Sequence, residues 1–194
     1  HTLEAQSLVF RAVKEVLILK CCDNKDLLDA CEWCEKACLN QWCRFPDTDK
    51  AVKVHQGMFL GIRGTNFINT ILNVAYFQLV KRVVSREKGL EPIGLYALHQ
   101  GDDVWISNRS RLWAAELFKQ MTLMGFDMQE SKQLFQRGLG EFLRVRYTHE
   151  IVQGYLMRAI ATLIIRQLQA DPTLTPNEAV TAMTSQVALL IRRG

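Results

Sequence analysis

Asp102 and Asp103 stand side by side inside the stretch Leu95-Tyr96-Ala97-Leu98-His99-Gln100-Gly101-Asp102-Asp103-Val104-Trp105-Ile106-Ser107. The apolar residues on both sides predict two short antiparallel strands. Gly101, at the first central position of the turn Gln100-Gly101-Asp102-Asp103, suits a type II′ connection. Two adjacent carboxylates at such a tip repel each other, and solvent or a divalent cation relieves that repulsion. Hard cations such as Mg²⁺ prefer carboxylate oxygens. Gly and Asp are also common turn residues, so the same four residues read as a solvated surface turn too. A second polar constellation lies upstream. Gly61, Thr65 and Asn69 recur at four-residue steps and Asn73 follows one turn on, so short polar side chains share one face of an otherwise apolar helix. Buried, they need partners, either a neighbouring strand edge or the hydroxyls and base edges of a nucleotide.

The elements that must position these residues follow from periodicity. Leu3, Leu8, Val9, Val13, Val16, Leu17 and Leu19 give residues Thr2 to Lys20 a broad apolar helical face. Asp23 or Asn24 can cap a second helix reaching about Cys43. Pro46-Asp47-Thr48-Asp49 predicts a turn, and Ala51–His55 with Met58–Leu60 a short strand pair. A Gly-rich connection, Gly61-Ile62-Arg63-Gly64, opens a long helix from about Thr65 to Ser85 carrying Phe67, Ile68, Ile71, Leu72, Ala75, Leu79 and Val83 on its apolar side. Beyond the central hairpin, Ser107, Asn108 or Ser110 can cap a helix through Met124, closed by Gly125. Phe142–Tyr147 alternates, with Arg144 and Arg146 on one face and Leu143, Val145 and Tyr147 on the other. A helix is expected over 155–168. A last one starts at the capping box Thr175-Pro176-Asn177-Glu178 and runs to Arg192. The order predicts an α+β fold with a small antiparallel sheet backed by helices.

With 194 residues and 48% apolar side chains, the chain can bury a core. No apolar run reaches the roughly 18 residues that span a bilayer, and no signal peptide is visible. The first residue is His1 rather than Met, which leads us to expect a piece of something longer. Residues 1–50 hold seven basic and nine acidic side chains; the remainder hold seventeen and eleven, a surplus that permits a polyanion partner. All six cysteines, Cys21, Cys22, Cys31, Cys34, Cys38 and Cys43, lie within 21–43. Cys31-x-x-Cys34 has a zinc-ligand spacing, yet no second pair follows. Leu27, Leu28, Cys31, Cys34, Cys38 and Trp42 instead repeat as the apolar stripe of a helix. That clustering argues for a reducing compartment rather than a disulfide framework. His99 is read as a core or turn histidine, and Trp105 and Trp113 as packing residues.

Taken together, these motifs resemble the palm of a viral RNA-dependent RNA polymerase, specifically those of totivirus-like double-stranded RNA viruses. Motif B is matched by Gly61-x-x-x-Thr65-x-x-x-Asn69-Thr70-x-x-Asn73, with Arg63 in its usual place. His99-Gln100-Gly101-Asp102-Asp103-Val104 matches motif C. The Arg111–Gly125 helix with Ser131-Lys132 matches motif D, and Glu141-Phe142-Leu143-Arg144-Val145 matches motif E. The resemblance implies nucleotidyl transfer from NTPs with two Mg²⁺ or Mn²⁺ ions, Asp102 being the principal metal ligand and Asp103 a secondary one. It implies that Gly101 stays small near the RNA terminus, and that Thr65 and Asn69 position the ribose of the incoming nucleotide. Gly61, Arg63 and Asn73 join them in nucleotide or RNA binding. Lys132 becomes the general acid for the leaving pyrophosphate. Phe142 and Leu143 hold the primer or product strand, with Arg144 on phosphates.

Two departures stand out: the motif A aspartate would precede His1, and Leu60 replaces the small Ser usual before the motif B glycine. The same resemblance implies a palm over 1–153, beginning after motif A, and the helical start of a thumb over 154–194. The implied partners are an RNA template and product strand, NTPs, and a capsid protein by fusion or assembly, with no membrane. The implied location is the host cytoplasm, inside the viral particle. A reverse transcriptase shares the palm and paired aspartates, but more often has an aromatic residue before them, where this chain has Gln100-Gly101. A non-catalytic remnant that binds RNA or a partner is the third reading. The 194 residues alone are expected to lack polymerase activity.

Overall fold

A computed structural model describes residues 1–21, 23–45, 50–59, 64–128, 133–157, 160–161, 164–165 and 175–193. The chain divides into two units, His1–Phe126 and Asp127–Gly194.

The first unit opens with α1 (Leu3–Leu19), whose first turn is satisfied by Thr2: its Oγ1 accepts from the Ala5 amide at 3.1 Å. Asn24 caps α2 (Lys25–Leu39) in the same way, Oδ1 accepting from Leu27 N at 3.1 Å. The two helices pack together and are cross-linked on their polar sides, Arg11 to Glu35 at 2.5 Å and Lys14 to Glu32 at 2.8 Å, with Lys36 also on Glu32 at 2.7 Å. Hydrogen bonds from Lys14 and Lys36 hold the Glu32 carboxyl down at about 2, below its ordinary 4.5. A depressed carboxyl stabilises the folded state above its unfolded value, and that contribution fades as pH falls. An NMR titration of the Glu32 side-chain carboxyl should therefore find its midpoint near 2, the ion pairs opening only as pH falls through about 2. A midpoint near 4.5 would show that the pairs do not persist in solution. Cys31 and Cys38 are buried on α2, and burial raises the Cys34 and Cys38 thiols, which therefore pack as small apolar groups.

The second helix stops at Leu39, four residues short of the expected Cys43, because Trp42–Arg44 is a strand, β1. It pairs antiparallel with β2 (Ala51–Lys53), in register Trp42↔Lys53 and Arg44↔Ala51. The Val54 amide extends that ladder to Gln41 O at 2.9 Å. Ladder bonds to a distant segment outweigh the weak helical preference of these residues, so Trp42 leaves the α2 stripe. For the same reason 51–53 pairs with β1 rather than forming the expected strand pair with Met58 and Phe59. Gln56 bridges to Thr2 instead, and Leu60 lies outside the described residues, as does the 46–49 turn.

The long helix α3 (Thr65–Lys88) ends at Gly89, which takes φ +63 and donates its N–H to Ser85 O at 3.1 Å. β3 (Tyr96–Gln100) and β4 (Asp103–Ser107) form the expected hairpin, with Ala97↔Ile106 and Gln100↔Asp103 in register. Ser110 is the cap of α4 (Arg111–Leu123), its Oγ accepting from Trp113 N at 3.2 Å, and Gly125 follows at φ +83. Phe77, Val80 and Val84 of α3 and Trp113 and Leu117 of α4 make one core, against which the hairpin packs Leu95, Ala97 and Ile106. A second core, Val9 with Ile68 and Leu72, seats α1 on α3.

In the second unit, β5 (Leu139–Phe142), β6 (Val145–Thr148) and β7 (Val152–Gly154) form an antiparallel sheet in chain order. The expected alternation over Phe142–Tyr147 does not occur as one strand. Phe142 pairs with Val145 across a two-residue turn made by Leu143 and Arg144, at φ +51 and +63. The chain reverses there, so Arg144 and Arg146 do not share a strand face. Half of the helix expected over 155–168 falls outside the described residues; 156–157, 160–161 and 164–165 are helical. The final helix, α5 (Pro176–Arg193), has the predicted capping box, Glu178 accepting from Thr175 N at 2.9 Å and from its hydroxyl at 2.7 Å. Helices and antiparallel sheets thus occupy separate stretches of chain, an α+β arrangement.

Candidate catalytic turn

The carboxylates of Asp102 and Asp103 are presented by a two-residue connection between β3 and β4. Gln100↔Asp103 is the last ladder pair, which leaves Gly101-Asp102 as a two-residue loop. Gly101 takes φ +59, while the non-glycine residues at positive φ among those described are Cys21, Leu143 and Arg144. A positive first and a negative second central residue is the II′ pattern anticipated from the sequence. Gly101 is buried, whereas both aspartates are exposed. Alternation along β4 places Asp103 on the face opposite Ile106, which packs on the core.

Burial of Gly101 comes from α3. Its N–H donates to Thr70 Oγ1 at 2.8 Å, and its carbonyl accepts from Asn73 Nδ2 at 2.5 Å. The Thr70 hydroxyl in turn donates to Asn66 O at 2.7 Å, so its single proton and one lone pair are both committed. A Cβ on Gly101 would lie 2.8 Å from Asn66 Oδ1. The space is therefore limited by α3 itself, on top of the backbone angle that disfavours any side chain.

Of the polar residues anticipated on α3, Asn73 reaches the turn and the others do not. Thr65 Oγ1 donates to Phe59 O at 3.1 Å, closing the loop before the helix. Asn69 keeps Oδ1 buried with no hydrogen-bond partner. An orphaned buried acceptor costs about 1–3 kcal/mol unless a donor arrives. Thr70 and Asn66 carry no assigned role in the sequence reading, yet Asn66, Thr70 and Asn73 are spaced i, i+4, i+7 and so share a stripe of their own. His99 is a packing residue, as expected: its ring lies 5.3 Å from that of Phe77, and burial lowers its pKa, favouring the neutral ring. Trp113 is fully buried.

Gly61, Arg63 and Lys132 lie outside the described residues. Phe142, Leu143 and Arg144 belong to the second unit, Phe142 half-buried and the two turn residues exposed. Nearby, Tyr155 donates its hydroxyl to Glu141 Oε2 at 2.8 Å.

The exposed carboxylate pair suits a hard divalent cation on donor chemistry, and the small, helix-backed Gly101 keeps the tip clear of side chains. Among the described residues no group of three or more His, Cys, Asp and Glu converges on a metal position. Asp102 and Asp103 are the ligands this turn can offer. Among the described residues no helix is long and apolar enough to cross a membrane.

Residues 1–167 match the family described as "Viral RNA-directed RNA-polymerase". The chain is 30% identical over 142 residues, 73% of its length, to a protein of Penicillium chrysogenum virus (isolate Caston/2003) named "RNA-directed RNA polymerase". It is 28% identical over its whole length to one of Saccharomyces cerevisiae virus L-BC, and 29% identical over 93% of its length to one of Leishmania RNA virus 1 - 1; both are named "Probable RNA-directed RNA polymerase". It spans only 12–18% of the length of these relatives. No solved structure matches it. With 167 of its residues matched, the chain belongs to the family of viral RNA-directed RNA polymerases.

Proposed function

We propose that this chain carries the nucleotidyl-transfer turn of an RNA-directed RNA polymerase that copies an RNA template from NTPs. The observation that carries the reading is the turn itself: two exposed carboxylates at a hairpin tip whose glycine is buried against the motif B helix. Asp102 is the principal metal ligand and Asp103 a second ligand or a contact to the primer end. Bound there, Mg²⁺ or Mn²⁺ would stabilise the charge on the attacking and leaving oxygens of the phosphoryl group. The protein's own contribution is placement. α3 presents the tip, and Thr65 and Asn69 lie on the neighbouring stripe, where the unpaired Asn69 Oδ1 can accept from a ribose hydroxyl. Gly61 and Arg63 complete the nucleotide side, and Lys132 supplies the proton that the leaving pyrophosphate takes up. Residues 1–153 form the palm and 154–194 begin the thumb. RNA and NTPs are the partners, with a capsid protein by fusion or assembly, and the setting is a viral particle in the host cytoplasm.

Phe142, Leu143 and Arg144 hold the product strand, Arg144 on phosphate. The geometry of their turn supports an exposed, functional tip. Both central residues occupy the left-handed region that Asn and Gly fill far more readily. Such residues cost about 1–2 kcal/mol each in that conformation. Arg144→Gly should therefore raise the chain's stability to urea by about 1 kcal/mol. In a polymerase that carries the chain it should weaken RNA binding and lower the salt slope by about one. Unchanged RNA affinity would remove Arg144 from the product strand.

The reading is tested by template-directed nucleotide incorporation in a polymerase that carries the chain. The 194 residues alone should incorporate nothing, since their described residues bring no third carboxylate to the turn. Templated incorporation by them would show that Asp102 and Asp103 suffice.

A further inference from the structure

Both peptide planes that flank Gly101 are held from α3. The Gln100–Gly101 plane is held through the Gly101 N–H on Thr70 Oγ1 at 2.8 Å, and the Gly101–Asp102 plane through the Gly101 carbonyl on Asn73 Nδ2 at 2.5 Å. The second plane matters most. In a two-residue hairpin loop the orientation of the central peptide separates type II′ from type I′. Flipping it would carry Asp102 to positive φ, a region that Asp enters more readily than most residues. The hairpin's own ladder tolerates either turn and Gly101 at the first central position leans towards II′, so a bond from outside the hairpin reinforces a preference that the sequence already carries. Asn73 does so by donating to the one carbonyl that the flip would turn away.

We propose that Thr70 and Asn73 are positioning residues that latch the Gly101–Asp102 peptide in its II′ orientation, and so set the direction of the two carboxylates. Asn73 then acts on the turn and not on a nucleotide. The polymerase reading enters only in what those carboxylates do; the latch itself stands on the hydrogen bonds. Thr70 is suited to the task because its hydroxyl donates to Asn66 O at 2.7 Å while accepting from Gly101, which fixes the direction of its lone pair. Asn66 Oδ1, 2.8 Å from where a Cβ of Gly101 would stand, closes the third side.

Two readouts test the latch. In the 194-residue chain, hydrogen exchange at the Gly101 amide should quicken about tenfold in Thr70→Val, as expected for loss of about one hydrogen bond, and stay within about twofold of wild type in Thr70→Ser, which keeps the hydroxyl. In a polymerase that carries the chain, Thr70→Val and Asn73→Ala should raise the Mg²⁺ concentration for half-maximal activity about three- to tenfold. The ribonucleotide KM at saturating Mg²⁺ should stay within about twofold, and the preference for ribose should be unchanged. Gly101 exchange that ignores Thr70→Val would overturn the proposal. So would a changed KM or ribose preference at constant metal dependence, which would put Asn73 on the nucleotide. An inactive wild-type polymerase would count against the polymerase reading alone, because the exchange measurement still decides the latch.

Discussion

Asp102→Ala should lower templated RNA synthesis by about a thousandfold or more in a polymerase that carries this chain, because transition-state stabilisation of several kcal/mol is at stake and each 1.36 kcal/mol is about tenfold. Folding should be nearly untouched. Asp102 is exposed at the turn, and among the described residues no hydrogen bond or ion pair ties its carboxylate to the core. A neutral side chain also relieves repulsion from Asp103. Urea denaturation of the variant should therefore fall within about 0.5 kcal/mol of wild type, the usual range for surface changes. The combination is diagnostic: a surface residue whose loss costs all activity and no stability is there for chemistry. Asp103→Ala should cost less, because we propose it only as a secondary ligand, at the first residue of β4.

Trp113→Ala should have the opposite signature. Its side chain is fully buried beside Phe77, Val80, Val84 and Leu117, and removal of a buried aromatic side chain costs about 3–5 kcal/mol. That is a large fraction of the roughly 5–15 kcal/mol that holds a domain together. Leu95, Ala97 and Ile106 pack on the same cluster, so the cavity opens beneath the base of the hairpin. Trp113→Phe should cost much less. Trp113 Nε1 is buried with no hydrogen-bond partner, and phenylalanine removes that unpaired N–H while keeping most of the ring. Urea denaturation of the chain measures both; a loss below about 1 kcal/mol in the alanine variant would mean the cluster is not the core of the first unit.

The parts of this site written locally were legible in the sequence. The hairpin, its II′ turn, the Ser110 cap and the long α3 depend on neighbours a few residues away, and each appears as expected. What failed depended on distant partners or unusual backbone. Trp42–Arg44 continued a helical stripe but found a ladder with 51–53. Leu143-Arg144 alternated like a strand, yet both adopt left-handed angles that neither residue type advertises. On α3, the four-residue spacing of Thr65, Asn69 and Asn73 drew attention to one stripe. The contacts to Gly101 come mainly from the adjacent one, through Thr70 and Asn73. A helix face is about a hundred degrees wide, and Asn73 belongs to both stripes; only the position of the turn distinguishes them.

The chain belongs to the family of viral RNA-directed RNA polymerases, and its buried glycine beneath two exposed carboxylates is where we propose the chemistry takes place. The most direct measurement is incorporation of labelled ribonucleotides and deoxyribonucleotides on a defined RNA template by a polymerase that carries this chain, with Mg²⁺ or Mn²⁺ present and after chelation. We expect ribonucleotides to be added in template order, only with the metal present, and deoxyribonucleotides to be rejected. Preferential addition of deoxyribonucleotides, or synthesis that persists in the chelator, would contradict the assignment.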